Sequence, residues 1–204
     1  MTNLLVNGHT ALGYDDVAFF ATTHSEGESG TQSNLKTITG ITAPTAPTAA
    51  EMESAILDAV ADMLKLVDSE GEPMNEQAHD FHLIVPAGII KAAATALGAP
   101  IIVDGSASRT NVLATVGNWT FSLTANARLD IAGWNTTNSD FVIIRTDSNQ
   151  KPLIRISDGG MRTTFLGPNS EHAKKSNEVL FGAEATRGAG YGYWQYAHKV
   201  ILTA

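Results

Sequence analysis

The sequence predicts a mixed α+β fold, and three segments carry that prediction. Residues 48–67 show a helical repeat of apolar side chains, and residues 81–97 have the pattern of a short strand followed by a helix. The segment after residue 101 is rich in β-forming residues, with glycine and asparagine between them. At 204 residues the chain is long enough for one or two compact domains.

The longest helix is predicted at Thr48–Val67. Thr48 and Glu51 have the spacing of a capping box, in which two backbone amides at the start of the helix gain hydrogen-bond partners. An apolar stripe of about five turns follows, formed by Met52, Ala55, Ile56, Ala59, Val60, Met63 and Val67. The opposite side carries the carboxylates Glu51, Glu53, Asp58 and Asp62, which we expect to face solvent. Such a helix should lie across a sheet or a neighbouring element.

Shorter elements are predicted on either side of this helix. Residues 1–47 have the pattern of an extended arm, with β-like pieces at Leu4–Val6, Val17–Ala21 and Leu35–Ile38 between polar and proline-containing stretches. Phe81–Val85 is predicted as a strand. Pro86 then suits the start of a helix to Leu97, and Gly98 suits its end.

The C-terminal part is predicted to contain a hairpin and a long loop. Residues 140–146 and 152–158 are β-rich runs on either side of the polar segment 147–151. Residues 158–178 are predicted as a polar loop. The chain then ends in two strand-like pieces around the flexible sequence "TRGAG" at 186–190.

Charge and composition exclude several classes of protein. The net charge is -8, which argues against a broad basic surface for nucleic acid. Residues 1–80 carry a net charge of -11 and residues 81–204 a net charge of +3. Either this asymmetry orients head-to-tail contacts between copies, or the charged residues are solvated and have no partner. The absence of cysteine excludes disulfides, thiolate metal sites and a cysteine nucleophile. With no signal sequence or apolar run of membrane length, we expect a cytoplasmic, non-membrane protein.

A search for chemical motifs predicts no catalytic, metal-binding or cofactor-binding residue. The six histidines are scattered and do not form the H-E-x-x-H spacing of a zinc site. The sequence "VDGSAS" lacks the second glycine of a G-x-S-x-G nucleophile turn, and no phosphate-binding glycine loop is present. The cluster Tyr191, Tyr193, Trp194 and Tyr196 has few basic neighbours, so we assign it to core and subunit packing rather than to nucleic acid.

The segment "YDDVAFFATTH" at residues 14–24 is interpreted as an anchor between subunits. Phe19 and Phe20 are adjacent, so in an extended strand they face opposite ways, and an arm with little core of its own is expected to bury at most one of them. The predicted subunit-contact residues are Tyr14, Phe19, Phe20, Tyr193, Trp194 and Tyr196.

Several segments together resemble one known family. "GYDDVAFFATTH" resembles the Y-D-G-x-x-F-F-x-x-x-H segment of the major head subunit of bacteriophage Mu and related prophages. "FHLIVPAGIIKAAATAL", "KPLIRISD" and "EVLFGAEATRGAGYGYWQYAHKV" are similar to that family in order and approximate spacing. Asp16 stands where the family usually has glycine, and we expect the part of the family that would precede Met1 to be missing.

The resemblance implies the Hong Kong 97-type capsid fold. Its extended-loop remnant would lie at residues 1–47, its peripheral β-sheet domain at 48–80 and 178–204 with the spine helix at 48–67, and its axial domain at 81–177. The implied function is that of a major capsid protein, not an enzyme, which forms the pentamers and hexamers of an icosahedral phage shell around DNA.

The resemblance also implies partners and a location. The partners would be further copies of the chain, packaged DNA in weak non-specific proximity, and portal, scaffold and decoration proteins. The location would be the virion, assembled in the host cytoplasm. The alternatives are an encapsulin-like nanocompartment shell and a small α/β hydrolytic enzyme that uses histidine with aspartate or glutamate.

Overall fold

The structure is a computed structural model that describes residues 2–115, 117–130 and 139–204. The fold is mixed α+β, as predicted. The α-helices are α1 (Thr2–Asn7), α2 (Ala49–Leu64), α3 (Ile90–Gly98), α4 (Val112–Thr115) and α5 (Glu171–Ser176). The strands are β1 (His24–Ser25), β2 (Thr31–Gln32), β3 (Leu35–Ile38), β4 (Asp80–Val85), β5 (Ile101–Asp104), β6 (Ala107–Thr110), β7 (Thr120–Ala125), β8 (Phe141–Arg145), β9 (Leu153–Leu166), β10 (Leu180–Tyr191) and β11 (Ala197–Leu202). Three 3₁₀ turns lie at Ala87–Ile89, Ala127–Asp130 and Trp194–Tyr196.

The chain divides into two compact units. The main unit contains residues 1–153 and 191–204, and the hairpin unit contains residues 154–190. The main unit holds the hydrophobic core and the five-stranded sheet, whereas the hairpin unit holds most of β9 and β10 together with α5.

The central sheet of the main unit has the strand order β3-β11-β8-β4-β7. Strand β8 is antiparallel to both of its neighbours, β4 and β11, whereas the outer pairs β11–β3 and β4–β7 are parallel. Strand β8 begins with an apolar run because both of its faces are covered: Phe141–Ile143 is buried throughout. The predicted strand Phe81–Val85 is confirmed as β4.

Helix α2 confirms the predicted long helix, although it ends at Leu64 rather than at Val67. Thr48 is the N-cap, and the capping box with Glu51 is complete. The predicted stripe from Met52 to Met63 is buried, and α2 packs against α3 and β11. The 3₁₀ turn at Ala87–Ile89 and helix α3 come directly after β4 and Pro86, which confirms the predicted order of strand and helix.

The expectation that all four carboxylates of α2 face solvent is wrong for Glu53. This side chain is buried, with Arg109 Nη2 at 2.5 Å, and it accepts a hydrogen bond of 2.6 Å from the Val112 amide. The physical reason is that β6 and the start of α4 fold over this side of the helix. Glu53 therefore links α2 to the segment that contains Arg109 and Val112.

The N-terminal residues are more closely integrated than an arm would be. Leu4–Val6, predicted as β-like, lies in helix α1, and Leu5 is buried in the core. Leu35–Ile38 is confirmed as β3, which extends the central sheet at one edge.

The predicted hairpin of residues 140–146 with 152–158 is wrong. Strand β8 is paired on one side with β4 and on the other with β11, so it has no free edge for a further strand. Strand β9 pairs with β10 instead and continues to Leu166, through the first half of the predicted polar loop. Strand β10 also runs without interruption through "TRGAG", because a paired partner overrides the weak strand propensity of its glycines.

Candidate subunit-contact surfaces

The structure buries both phenylalanines of the "YDDVAFFATTH" segment inside their own chain. The Phe19 ring stacks on Tyr191 with centroids 4.5 Å apart, and the Phe20 ring lies edge-on to Phe19 at 4.9 Å. Phe20 also lies directly against the backbone of Gly8, where the Cβ of any other residue would come within 2.7 Å of the ring. The expectation that at most one of the two phenylalanines is buried within its own chain is therefore wrong, because α1 and residues 191–204 cover this region.

Two of the C-terminal aromatics are also buried within the chain. Trp194 donates from its indole N–H to Glu26 Oε1 at 3.2 Å, and Tyr196 donates its hydroxyl to Gln150 Oε1 at 3.0 Å. Both residues lie in a 3₁₀ turn rather than in the expected strand. Phe19, Phe20, Trp194 and Tyr196 thus have almost no accessible surface in the single chain, and their role in subunit contact stays a prediction.

Tyr14 and Tyr193 keep accessible surface, and their role in subunit contact stays a prediction. Their rings meet edge-on with centroids 5.6 Å apart, and they are 49% and 39% exposed. Burial of part of its ring raises the pKa of the Tyr14 phenol, and Glu26 raises it further. Leu12 adds a third exposed apolar side chain from the same stretch of sequence.

His24, the last residue of this segment, is fully buried. His24 Nδ1 lies 2.6 Å from Asp15 Oδ2, and Nε2 lies 3.1 Å from Asn34 Oδ1. This is the closest histidine–carboxylate pair in the described part of the chain. Both ring nitrogens are engaged and shielded, so neither is available to take a proton from a substrate.

The other histidines do not assemble into a metal site. Within residues 2–115, 117–130 and 139–204, no group of three histidine, aspartate or glutamate side chains is placed to hold an ion. His198 is buried and neutral: burial lowers its pKa to about 4, Lys36 lowers it further, and Asp62 opposes the shift. None of the helices in these ranges combines the length and apolar character of a membrane span.

A surface that sequence reasoning missed lies on the hairpin unit. Gly192 N–H donates to Pro152 O at 2.8 Å at the base of β9 and β10, and Gly182 lies beside Thr164 farther along. The two strands therefore run antiparallel, and residues of the same parity share a face.

One face of the hairpin unit is apolar and exposed. Met161 and Phe165 from β9 share this face with Phe181 from β10, and they are 63%, 64% and 72% exposed. Ala183 continues the apolar surface along β10. Residues 181–185 alternate apolar and other residues and were predicted as strand-like, whereas residues 161–165 were predicted as part of a polar loop, so the shared face was not recognised.

The other face of the hairpin unit is polar in its middle and apolar at its ends, where Ile154, Ile156, Leu166 and Leu180 are exposed. Asp158, Arg162 and Glu184 line a shallow depression of about 140 Å³ together with Gly160, Ala185 and Thr186. Both faces of the hairpin unit therefore carry exposed apolar side chains, and the aromatic ones, Phe165 and Phe181, lie on the face of Met161. In the single chain, however, no residue from 154 to 190 is buried.

Comparisons with known proteins give similarities to solved structures. No protein family model matches the chain, and no curated protein does. Among solved structures, a chain from the asymmetric unit of the bacteriophage PhiM1 mature capsid matches with 12% sequence identity and a TM-score of 0.49. The match covers 97% of this chain and 57% of that one, so this chain spans less than two thirds of its length. A TM-score below 0.5 at this identity does not establish a common fold.

Proposed function

We propose that this chain is a major capsid protein, a structural subunit that self-assembles into the shell of a phage head. The observation that carries the proposal is the exposed apolar face of the hairpin unit, with Met161, Phe165 and Phe181. A single two-stranded hairpin is marginally stable in water, and a contiguous apolar surface on it marks a site that another chain covers.

A second copy of the same chain is the partner that the charges favour. The hairpin unit carries five basic and four acidic residues, a balance of +1, whereas the main unit carries eight basic and seventeen acidic residues, a balance of -9. The hairpin of one copy and the main unit of the next are therefore electrostatically compatible. Each contact is modest, but repetition around closed rings sums such contacts into a stable shell.

The finer features of the proposal follow the sequence resemblance. They are the Mu-like family, the Hong Kong 97-type division into extended loop, spine helix, peripheral and axial domains, and pentamers and hexamers in an icosahedral particle. DNA would be enclosed without tight binding, since a net charge of -8 disfavours adhesion to a polyanion. Portal, scaffold and decoration proteins are further proposed partners, and the virion is the proposed location.

An encapsulin-like shell is the second candidate, because it would use the same self-assembly. The contents of purified particles separate the two candidates. Nuclease-protected DNA supports the phage head, and a protein cargo without nucleic acid supports the nanocompartment.

Sedimentation velocity and negative-stain electron microscopy of the purified protein test the proposal. We expect rings, sheets or shells to form as the protein concentration rises. Phe181→Ser should abolish them, whereas the control Thr186→Ser, on the same strand but at a polar position of the opposite face, should leave them intact. A wild-type chain that stays monomeric at every concentration and salt condition would overturn the proposal.

A further inference from the structure

The apolar face of the hairpin unit also carries two arginines. Residues of the same parity share a face of β9 and β10, so Arg155 and Arg187 lie on the face of Phe181. Both arginines are exposed, and the ion pairs of the described residues include neither of them. The acidic residues of the two strands, Asp158 and Glu184, lie on the opposite face. The apolar face therefore combines large apolar side chains with positive charge.

The main unit has an exposed apolar patch of its own. It consists of Leu12, Tyr14 and Tyr193, and we name it the tyrosine patch. The two tyrosine rings meet edge-on with centroids 5.6 Å apart, and the Tyr14 hydroxyl donates to Gln195 Oε1 at 3.3 Å. These contacts hold the rings in place and leave a large part of their surface accessible.

The charge around the tyrosine patch is negative. Partial burial raises the pKa of the Tyr14 phenol, and Glu26 and Asp15 raise it further, which places both carboxylates beside this ring. Glu28, two positions after Glu26, is exposed and belongs to none of the ion pairs of the described residues. Residues 1–35 contain four carboxylates and no lysine or arginine. The tyrosine patch thus has the opposite charge to the apolar face of the hairpin unit.

We propose that the apolar face of one copy packs on the tyrosine patch of the next copy, with Arg155 and Arg187 against the surrounding carboxylates. This pairing rests on the proposed self-assembly and names the two surfaces that meet in it. Phenylalanine, tyrosine, methionine and arginine are the residues enriched in the cores of protein interfaces. An arginine guanidinium also packs well on the face of a tyrosine ring.

The charges favour this pairing over contacts between identical surfaces. Two apolar faces brought together would place four arginines in one interface, whereas the tyrosine patch supplies carboxylates to pair with them. Two tyrosine patches brought together would place only carboxylates against each other. Because the two surfaces are different, each copy that binds through one of them keeps the other free for a further copy.

A mixture of two variants tests the pairing. Phe181→Ser removes a ring from the apolar face, and Tyr193→Ser removes one from the tyrosine patch. In sedimentation velocity each variant alone should stay monomeric at a concentration at which the wild type assembles. Mixed in equal amounts, they should form a complex of one copy of each and nothing larger, since each retains the surface that the other has lost. Leu12→Ser replaces Tyr193→Ser if circular dichroism shows that the latter does not fold.

Reversal of one charge tests the role of the arginines. Arg187→Glu should raise the concentration needed for assembly by about tenfold or more. The matched control is Arg162→Glu, the same change on the opposite face of the hairpin unit, and it should have no such effect. Addition of Glu28→Lys to Arg187→Glu should recover part of the lost assembly, because opposite charges then face each other again.

The outcomes separate this pairing from the proposed function. A wild type that assembles while the mixture of Phe181→Ser and Tyr193→Ser stays monomeric would overturn the pairing and leave the function standing. Assembly of Tyr193→Ser and Leu12→Ser at the wild-type concentration would do the same, as would equal effects of Arg187→Glu and Arg162→Glu. A wild type that stays monomeric under every condition would overturn both.

Discussion

The main unit and the hairpin unit use their apolar residues in opposite ways. In the main unit the strands have at most six residues, the interior strands are paired on both edges, and the apolar side chains of α2 and the sheet are buried. In the hairpin unit the strands have 14 and 12 residues, and the largest apolar side chains are exposed. The main unit buries its own core, whereas the hairpin unit leaves its apolar side chains exposed in the single chain. Mutations of the same chemical kind should therefore have different effects in the two units.

Replacement of phenylalanine by alanine should give the largest difference in stability between the two units. Phe20→Ala removes a buried ring that packs on Phe19 and on the backbone of Gly8, so we expect it to lower the free energy of unfolding by about 3–5 kcal/mol. Phe181→Ala removes an exposed ring, and we expect a change within about 0.5 kcal/mol. Urea denaturation of the isolated chain measures both. Equal losses would contradict the division between a buried and an exposed phenylalanine.

The next largest difference in stability is expected between alanine variants of two carboxylates on helix α2. Glu53→Ala leaves the Val112 amide without its acceptor and Arg109 without its closest partner, so we expect a loss of about 1–3 kcal/mol. Asp58→Ala, on the exposed side of the same helix, should change stability by less than about 0.5 kcal/mol. A neutral Glu53→Ala in thermal unfolding would show that its buried contacts do not stabilise the fold.

The N-caps of α2 and α5 form a matched pair in the two units. Thr48 and Ser170 each accept a hydrogen bond from a backbone amide in the first turn of their helix. Thr48→Ala should lower the global free energy of unfolding by about 1 kcal/mol. Ser170→Ala should leave it unchanged, because α5 lies outside the core, and should instead speed local hydrogen exchange in residues 171–176. A global loss in Ser170→Ala would show that the hairpin unit unfolds together with the main unit.

The capping box of α2 predicts a pH dependence of the free energy of unfolding. Partial burial raises the pKa of Glu51, but hydrogen bonds from Thr42 and Thr48 outweigh it and lower the pKa to about 2. A carboxyl whose pKa is lowered by folding stabilises the fold above its unfolded pKa, and this contribution is lost as the pH falls toward 2. The free energy of unfolding of Glu51→Gln should therefore decline less between about pH 5 and pH 2 than that of the wild type. Parallel slopes would contradict the assignment.

The smallest effect is expected at Asp16. This residue has a φ of 59°, a left-handed conformation that glycine adopts without strain. Asp16→Gly should change the free energy of unfolding by less than about 1 kcal/mol, whereas Asp16→Val should lower it, since a β-branched side chain is poorly tolerated there. Comparable melting temperatures for the two variants would contradict this account.

The sequence predicted those elements whose signals are local. The capping box and the apolar stripe of α2 are properties of one segment, and so is the strand-to-helix order around Pro86. Asp16 is a related case, because the sequence resemblance predicts a glycine at this position and the backbone there has a φ of 59°, which glycine adopts without strain.

The elements that the sequence misplaced depend on distant partners. Residues 158–166 form a strand because β10 lies beside them, and Phe20 is buried because Gly8 lets its ring approach the backbone. Glu53 is buried because Arg109 lies over it, 56 positions later in the chain. No window of the sequence contains these pairings. The apolar face of the hairpin unit was missed for the same reason, since its cover is expected to come from another copy.

Hydrogen–deuterium exchange as a function of protein concentration tests the central claim most directly. The proposed function predicts that peptides from residues 154–190 exchange fast in the dilute monomer and become protected when the protein assembles, while peptides from α2 and β8 are protected in both states. Hairpin peptides that are already protected in the dilute monomer, or that stay unprotected in assembled particles, would contradict the claim that a second copy covers this surface.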